Sequence, residues 1–138
     1  MKSVNPYLIF NGEAQEAFDF YQSVFGGDVM SVRFADMPGM EDLSDEDQNR
    51  LAHVSLHLGS DGQVLMASDA TSTREVDQSA NASFYVNLEP ESAEEAERVF
   101  TELSDGGRVI MPLEKSDWAE LFAMFTDRFG IQWMINYE

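Results

Sequence analysis

The sequence predicts an α+β protein made of two tandem βαβββ modules. The order strand, helix, Gly-Gly, three strands runs through the first 69 residues and starts again at residue 83. Both predicted helices end on a glycine pair, and the segments around them alternate apolar and polar residues, as strands do. Because internal duplication is a stronger signal than any single motif, it decides the fold class. A module of about 65 residues is small for independent stability, so we expect the two to complete each other edge to edge.

The first module begins with a strand and a helix. Residues 4–10, VNPYLIF, alternate and are rich in β-formers, which predicts a strand. After the Asn11-Gly12 turn, residues 13–25 predict an amphipathic helix, because their apolar side chains recur every three or four positions. Gly26-Gly27 then ends the helix, and residues 28–34 predict the second strand.

The rest of the first module is a long loop and a hairpin. Residues 36–50 are polar and acidic, which predicts a loop with one helical turn at 44–49. We hypothesise that this loop is a flap. Residues 51–58 alternate cleanly and pair, through a turn at 59–62, with a strand at 63–68. The first module therefore spans residues 1–69.

The second module repeats this order after a linker. Residues 70–82 are polar and predict the linker, so the second module spans residues 83–138. It starts with a strand at 83–88 and a helix at 93–103, closed by Gly106-Gly107. Three strands follow, at 108–113, 120–127 and 131–137.

The strongly acidic composition limits the partners. The chain has 26 Asp and Glu residues against 8 Lys and Arg, a formal net charge of −18 at pH 7. Nucleic-acid phosphates and anionic membrane surfaces would be repelled, so we expect neither partner. The excess acid serves solubility in the simplest interpretation, and a saline habitat or a cationic partner is the alternative. The lack of cysteine and of any signal-peptide-like apolar run predicts a cytoplasmic protein.

Three strings carry a resemblance to a known family. They are PYLIFNGEAQEAFDFYQSVFGGDV, AHVSLHLGSDGQVLMASDA and DWAELFAMFTDRFGIQWMINYE. With the βαβββ duplication, they resemble the vicinal oxygen chelate superfamily, also called the glyoxalase/bleomycin-resistance/dioxygenase fold, and within it the PhnB-like family. The resemblance covers nearly the whole chain. It implies a curved mixed sheet around a central cleft, and a homodimer.

The resemblance also implies a place for a divalent metal, at the first and last strands of each module. Aligning the two hairpins on their glycines puts Met66 and Met134 where metal-binding relatives carry Glu. Aligning the first strands at an offset of 78 puts Asn5 and Ser83 at the other ligand positions. Because thioether, amide and hydroxyl groups do not hold Zn²⁺, Ni²⁺ or Mn²⁺, we predict no metal and no cofactor. The two methionines then form either a soft apolar floor for a ligand or ordinary core.

Two histidines lie on one predicted strand. His53 and His57 are four strand residues apart, about 13 Å, so they cannot share one ion. Each is either a structural or surface histidine or a general base facing the cleft. His53 is the candidate catalytic residue, and a tyrosine of the cleft is the alternative acid–base group.

Aromatic side chains are expected on both sides of the cleft. Tyr7 and Tyr85 fall at matching positions and either hydrogen-bond a ligand or pack as aromatics. Trp118 and Phe122 precede the last hairpin and are expected to cap the cavity. The residues predicted to line the cleft are Tyr7, His53, Ser55, Met66, Tyr85, Asn87, Trp118, Phe122, Gln132 and Met134.

The last strands also carry polar side chains. Asn87, Gln132 and Asn136 are predicted to face the cleft, where a polar ligand or ordered water would satisfy their amides. Trp133 and Ile135 alternate with them and should face the second helix.

The sequence leaves three functional interpretations open. The favoured one is a metal-free protein that binds a small organic molecule. The second is an enzyme of the superfamily, of lyase, isomerase or dioxygenase type, using acid–base residues or an unrecognised metal site. The third is an interaction module with a vestigial cleft. The PhnB-like family has also been described as a ubiquinone-pathway methyltransferase, but nothing in this sequence resembles an S-adenosylmethionine site.

Overall fold

A computed structural model describes residues 1–59, 61–78 and 83–138. By its internal contacts the chain divides into two units, Met1–Val76 and Asp77–Glu138. Each unit contains one four-stranded mixed sheet, and the predicted α+β fold of two βαβββ modules is confirmed.

The first unit has the strand order β1-β4-β3-β2, with β1 parallel to β4 and the other pairs antiparallel. Its elements are β1 (Tyr7–Phe10), α1 (Ala14–Phe25), β2 (Asp28–Arg33), a 3₁₀ turn (Phe34–Asp36), α2 (Asp45–Asn49), β3 (Leu51–Leu58) and β4 (Gln63–Asp69).

The second unit repeats this topology with the order β5-β8-β7-β6, again with one parallel pair, β5 with β8. Its elements are β5 (Val86–Leu88), α3 (Ala93–Ser104), β6 (Arg108–Glu114), β7 (Leu121–Thr126) and β8 (Gln132–Tyr137).

The first strand of each module is shorter than predicted. The strand predicted at residues 4–10 begins at Tyr7, and the one predicted at 83–88 begins at Val86. In the first unit, Pro6 lies immediately before the strand and has no N–H to donate, although its carbonyl accepts from the Met66 N–H at 3.2 Å. The other helices and strands match their predicted ranges to within about two residues.

The predicted alignment of these first strands was wrong by two residues. Tyr7 pairs with Met66, whereas Met134 pairs with Asn87. The equivalent of Tyr7 is therefore Asn87, 80 positions later, and Tyr85 does not occupy a matching position. The register is set by backbone pairing with the last strand. The similarity of the Tyr-containing strings, which suggested an offset of 78, does not set it.

Each helix covers one face of its own sheet. In the first unit, α1 buries Ala14, Ala17, Phe18, Tyr21 and Val24, and it contacts β2, β3 and β4. In the second unit, α3 buries Ala96, Val99 and Leu103 against β6, β7 and β8. Trp133 and Ile135 are fully buried in the second unit, where α3 packs on β8, which confirms their predicted direction. Burying such apolar side chains contributes about 1.5–3 kcal/mol each.

The glycine pairs do more than end the helices. A Cβ on Gly27 would lie 2.2 Å from the His57 carbonyl oxygen of β3, and one on Gly107 would lie 2.0 Å from the Thr126 carbonyl oxygen of β7. In both modules, the second glycine therefore allows the chain leaving the helix to pass close to the backbone of the third strand.

Asp69 joins three segments of the first unit. Its side chain is buried at the end of β4. Oδ1 accepts the N–H groups of Gly12 and Ala14 at 2.9 and 3.0 Å, and Oδ2 accepts that of Leu51 at 2.9 Å. The carboxylate thus caps the N-terminus of α1 and fixes the start of β3 at once.

The first part of the predicted linker binds the first unit. Buried Arg50 donates to the Ala70 carbonyl at 2.8 Å and pairs with Glu46 and Glu75 at 3.2 and 3.1 Å. Burial lowers the pKa of Arg50, but the hydrogen bonds that it donates to the two glutamates, together with nearby negative charge, outweigh burial and raise the pKa, so the guanidinium stays charged. Residues 79–82 of the predicted linker lie outside the described residues.

The acidic segment before β3 is tied down at its C-terminal end. Ser44 caps α2, and both oxygens of buried Asp47 accept from Ser72, from its N–H at 3.0 Å and its hydroxyl at 2.9 Å. The predicted helical turn is confirmed. The flap remains a hypothesis.

Replacing Asp69 by Ala is expected to lower the free energy of unfolding by about 3–5 kcal/mol, because two buried N–H groups and one part-buried N–H group lose their acceptor. Asp69→Asn keeps one acceptor oxygen and should lose roughly half as much. Urea denaturation with linear extrapolation measures both. Ser68→Ala, one residue earlier on the opposite face, is the control and should change stability by less than about 1 kcal/mol. Equal losses for Ser68→Ala and Asp69→Ala would contradict the assignment.

Candidate functional site

One helix covers one face of each sheet, so the strand side chains that point the other way are free of it. The first open face is the side of the first sheet opposite α1, and it carries Tyr7, Ile9, Met30, Val32, His53, Ser55 and Met66. The second open face is the corresponding side of the second sheet, and it carries Asn87, Arg108, Met111, Glu114, Phe122, Met124, Thr126, Gln132, Met134 and Asn136.

A tyrosine–histidine pair dominates the first open face. The Tyr7 hydroxyl and His53 Nδ1 are 3.0 Å apart, within hydrogen-bond distance, and the two ring centroids are 5.7 Å apart. Either atom donates, depending on the imidazole tautomer. The bond orients the imidazole through Nδ1, and Nε2 lies on the side of the ring away from Tyr7. A histidine that transfers a proton or binds a ligand uses one nitrogen for orientation and the other for chemistry in this way.

One row of side chains, which ends in Tyr7, crosses the first sheet. Met30, Ser55, Met66 and Tyr7 are successive register partners on β2, β3, β4 and β1. Ser55 is buried, although it lies on the open face, because a methionine flanks it on either side. The row combines soft apolar groups with the polar atoms of Ser55 and Tyr7.

The two histidines are separate in the structure. His57 pairs with Asp28 near one end of β2, whereas His53 pairs with Val32 near the other. His57 is exposed, and His53 is half-buried. His53 is therefore the histidine with a defined environment.

The central row of the second open face is more apolar than that of the first. Met111, Met124, Met134 and Asn87 form one row across β6, β7, β8 and β5, at the position that corresponds to the Met66 row. Three thioethers in line give a deformable apolar surface. At the end of the same face, Gln132 Nε2 donates to the Phe84 carbonyl at 2.8 Å.

A polar atom without a partner lies at the other end of that face. Asn136 and Phe122 are register partners, so their side chains stand next to each other. Asn136 Oδ1 is fully buried and meets no hydrogen-bond donor in the described part of the chain. The Trp118 ring lies edge-on to Phe122, with centroids 5.0 Å apart, and is itself 58% exposed.

The structure groups most of the predicted cleft residues into two sets. Four share the first open face: Tyr7, His53, Ser55 and Met66. Five belong to the second open face or pack against it: Asn87, Trp118, Phe122, Gln132 and Met134. Tyr85 lies just outside β5. That all of them line one cleft stays a prediction.

Three methionines were missed by sequence reasoning. Met30, Met111 and Met124 lie in the methionine rows. The alternation within DVMSVR and LFAMFT predicts the face of two of them, Met30 and Met124. Only Met66 and Met134, however, repeat at the same place in the two modules. Met111 follows a register shift in β6, which hides it from a period of two.

The side chains beside Met66 and Met134 do not suit a hard divalent metal. Their neighbours on the first strands are Tyr7 and Asn87, in place of the predicted Asn5 and Ser83. His53, hydrogen-bonded to Tyr7, is the single imidazole nearby, and the other groups are phenol, amide and thioether in place of the several carboxylates and imidazoles that such ions require. In residues 1–59, 61–78 and 83–138, no three His, Asp or Glu side chains are grouped closely enough to hold an ion. The absence of a metal stays a prediction.

Membrane-spanning helices are lacking in the described part of the chain, since none of its helices is both long and apolar enough.

Comparison with known proteins gives a family and a fold. The family model described as 3-demethylubiquinone-9 3-methyltransferase matches residues 2–136. Protein YjdN of Escherichia coli (strain K12) is 31% identical over 142 residues, which cover 96% of this chain and 93% of YjdN. Protein PA1353 from Pseudomonas aeruginosa has a similar crystal structure, with 39% identity and a TM-score of 0.88 over 100% of this chain and 98% of that chain.

More distant structures share the fold. A PhnB protein from Bacillus cereus, described with the same methyltransferase name as the family, has 22% identity and a TM-score of 0.74 over 99% of this chain and 100% of that chain. A glyoxylase/bleomycin resistance protein/dioxygenase domain from Frankia sp. EAN1pec has 13% identity and a TM-score of 0.67 over 99% and 98%. The predicted resemblance to PhnB-like proteins and to this fold is confirmed.

Replacing Tyr7 by Phe should change the environment of one histidine only. The variant loses the partner of His53 Nδ1, so the tautomer balance of that imidazole shifts, with a loss of stability of about 1 kcal/mol or less. Two-dimensional ¹H–¹⁵N spectra of the imidazole rings measure it. His57, the only other histidine, is the internal control. An unchanged His53 signal would show that the bond does not form in solution.

Proposed function

We propose that this chain, which belongs to the PhnB-like family described as 3-demethylubiquinone-9 3-methyltransferase, binds a small organic molecule on its open sheet faces without a metal ion. The observation that carries the proposal is the Tyr7–His53 pair next to Met66, where two polar groups that orient each other stand beside a thioether. Small-molecule sites typically combine a mostly apolar surface with a few oriented polar groups.

The second open face supports the same function. Its methionine row offers apolar surface that adapts to the shape of a ligand, and Asn87 offers an amide beside it. Exposed apolar side chains are also found on the edge strands β2 and β6, where Met30 is 67% and Met111 44% exposed. Met30 and Met111 are the edge members of the two methionine rows, so each row reaches the edge of its own sheet.

The proposal contains neither a metal-dependent step nor a methyl transfer. The donors next to Met66 and Met134 do not fit a divalent ion, and no residue placed on the open faces is assigned to a methyl donor. We also propose a homodimer, on the strength of the resemblance alone, and a cytoplasmic location, from the lack of cysteine.

A second candidate function is acid–base catalysis by His53. The hydrogen bond to Tyr7 favours it, because an imidazole oriented by a second group at one nitrogen can move a proton at the other. His53→Ala separates the two candidates once a bound molecule is known. If His53 is a catalyst, turnover of that molecule should fall about 100-fold or more, and if His53 only binds, the variant should change the affinity alone.

Uncharged aromatic molecules such as 2-naphthol should raise the melting temperature. At ten times the Kd, the rise should be about 3 °C or more. Met66→Gln replaces the thioether by an amide of similar length and should weaken binding several-fold, because apolar contact is lost. Differential scanning fluorimetry and isothermal titration calorimetry measure the two effects.

Met37→Gln is the matched control, since Met37 lies outside the strands and should not affect binding. Elemental analysis of protein purified without chelator belongs to the same experiment. One tightly held transition-metal ion per chain, with binding that depends on it, would overturn the metal-free proposal.

A further inference from the structure

We propose that the second open face selects an apolar amine in its ammonium form, and that Asn136 Oδ1 accepts a hydrogen bond from its N–H. This inference rests on the proposed function and adds the class of ligand. Three features of one end of the face carry it: an acceptor without a donor, an aromatic and methionine surface, and a local excess of acid.

The acceptor without a donor is Asn136 Oδ1. Buried polar atoms nearly always have partners, and each one that has none costs about 1–3 kcal/mol. Oδ1 is fully buried and meets no donor within the described residues, although β8 is otherwise a regular strand. An apolar residue of similar size would avoid this cost. A ligand N–H that reaches Oδ1 relieves it, and a ligand that offers only acceptors does not.

The surface next to Oδ1 suits an apolar body. Phe122 stands beside Asn136, and Met134 lies two residues earlier on the same face of β8. Met124 pairs with Met134 and continues the apolar surface away from Asn136. A ligand that places its nitrogen at Asn136 therefore lays its carbon skeleton along the methionine row.

Trp118 is the side chain that gives way. It lies outside the strands, contacts Phe122 edge-on and is 58% exposed, so a change of its rotamer costs little buried contact. Movement of Trp118 would free the edge of Phe122, the side chain that stands beside Asn136. The indole then provides an aromatic face for a cation, worth about 0.5–1 kcal/mol at an exposed site.

Charge decides in favour of an ammonium over a neutral donor. Glu114 on β6 pairs with Phe122 on β7, and Phe122 pairs with Asn136 on β8, so the three side chains form one row. Between Glu114 and Leu121, Asp117 and Glu120 add two more acids, against the single base Lys115. Arg108 is the base on the same face, and it lies in the row of Gln132, at the opposite end from Asn136. The whole chain carries −18, which attracts cations and repels carboxylates and phosphates.

Methionine-methyl NMR tests the inference with three benzyl probes. Benzylamine is a cationic donor, benzyl alcohol a neutral donor, and benzyl methyl ether has no donor. With ¹³C-methyl methionine, the signals of Met111, Met124 and Met134 report the second face, and those of Met30 and Met66 report the first. We expect shifts at Met124 and Met134, with affinities in the order amine, alcohol, ether, and about fivefold between alcohol and ether.

Asn136→Leu tests the acceptor. The alcohol should lose its preference over the ether, and the melting temperature should rise by roughly 2–6 °C, because the orphaned oxygen is gone. Asn49→Leu, which removes an exposed amide at the end of α2, is the matched control and should keep the preference. A fall in melting temperature for Asn136→Leu would show that the amide is bonded in the fold and would overturn the inference.

Glu114→Gln tests the charge. The ratio of amine to alcohol affinity should fall two- to fivefold, and in the parent protein the same ratio should fall with added salt. Glu97→Gln removes an exposed charge from α3 and should leave the ratio unchanged.

The failure of this inference differs from failure of the proposed function. Equal affinities for amine, alcohol and ether, or a preference that survives in Asn136→Leu, would overturn the ligand class and leave binding itself intact. Shifts confined to Met30 and Met66 would place binding on the first face alone. No methionine shift with any probe would overturn both.

Discussion

A four-stranded sheet has two faces, and each module of this protein has one long helix to cover them. α1 and α3 bury the strand side chains of one parity, such as Leu56 and Trp133. The alternate strand residues point to the face without a helix, and they include the methionine rows and the Tyr7–His53 pair. The candidate site is thus a consequence of the fold's layer arrangement, because period-two alternation sends every second residue to the uncovered side.

The duplicated frame holds two different chemistries. The shared parts are backbone devices: the close approach at Gly27 and Gly107, and the parallel pairing of the first strand with the last. The open-face row then differs between modules, with Tyr7 in one and Asn87 in the other next to an equivalent methionine. Because side chains on an open face pack against few neighbours, they can diverge while the frame stays fixed.

Local patterns made most of the fold predictable, and long-range contacts account for what was missed. Helix periodicity and Gly-Gly pairs mark α1 and α3, since these signals lie within neighbouring residues. The register of β5 depends on its pairing with β8, far along the chain, so the offset of 78 taken from similar strings was wrong. The three N–H groups that converge on Asp69 come from two distant segments, and a sequence pattern does not show them. For the same reason, Asn136 could be predicted to face inward, but its lack of a donor could not.

The methionine rows connect the fold to its chemistry. A divalent metal centre built on the central row of either open face would need carboxylate or imidazole donors, which tolerate little apolar contact. Here thioethers take those places, and the acids of the second face stand toward its edge, at Glu114 and along the segment that carries Trp118. Separation of an apolar centre from a charged rim favours recognition of a whole molecule by its shape and by one polar end. Electrostatics at the rim then steers and selects, and apolar contact at the centre supplies the affinity.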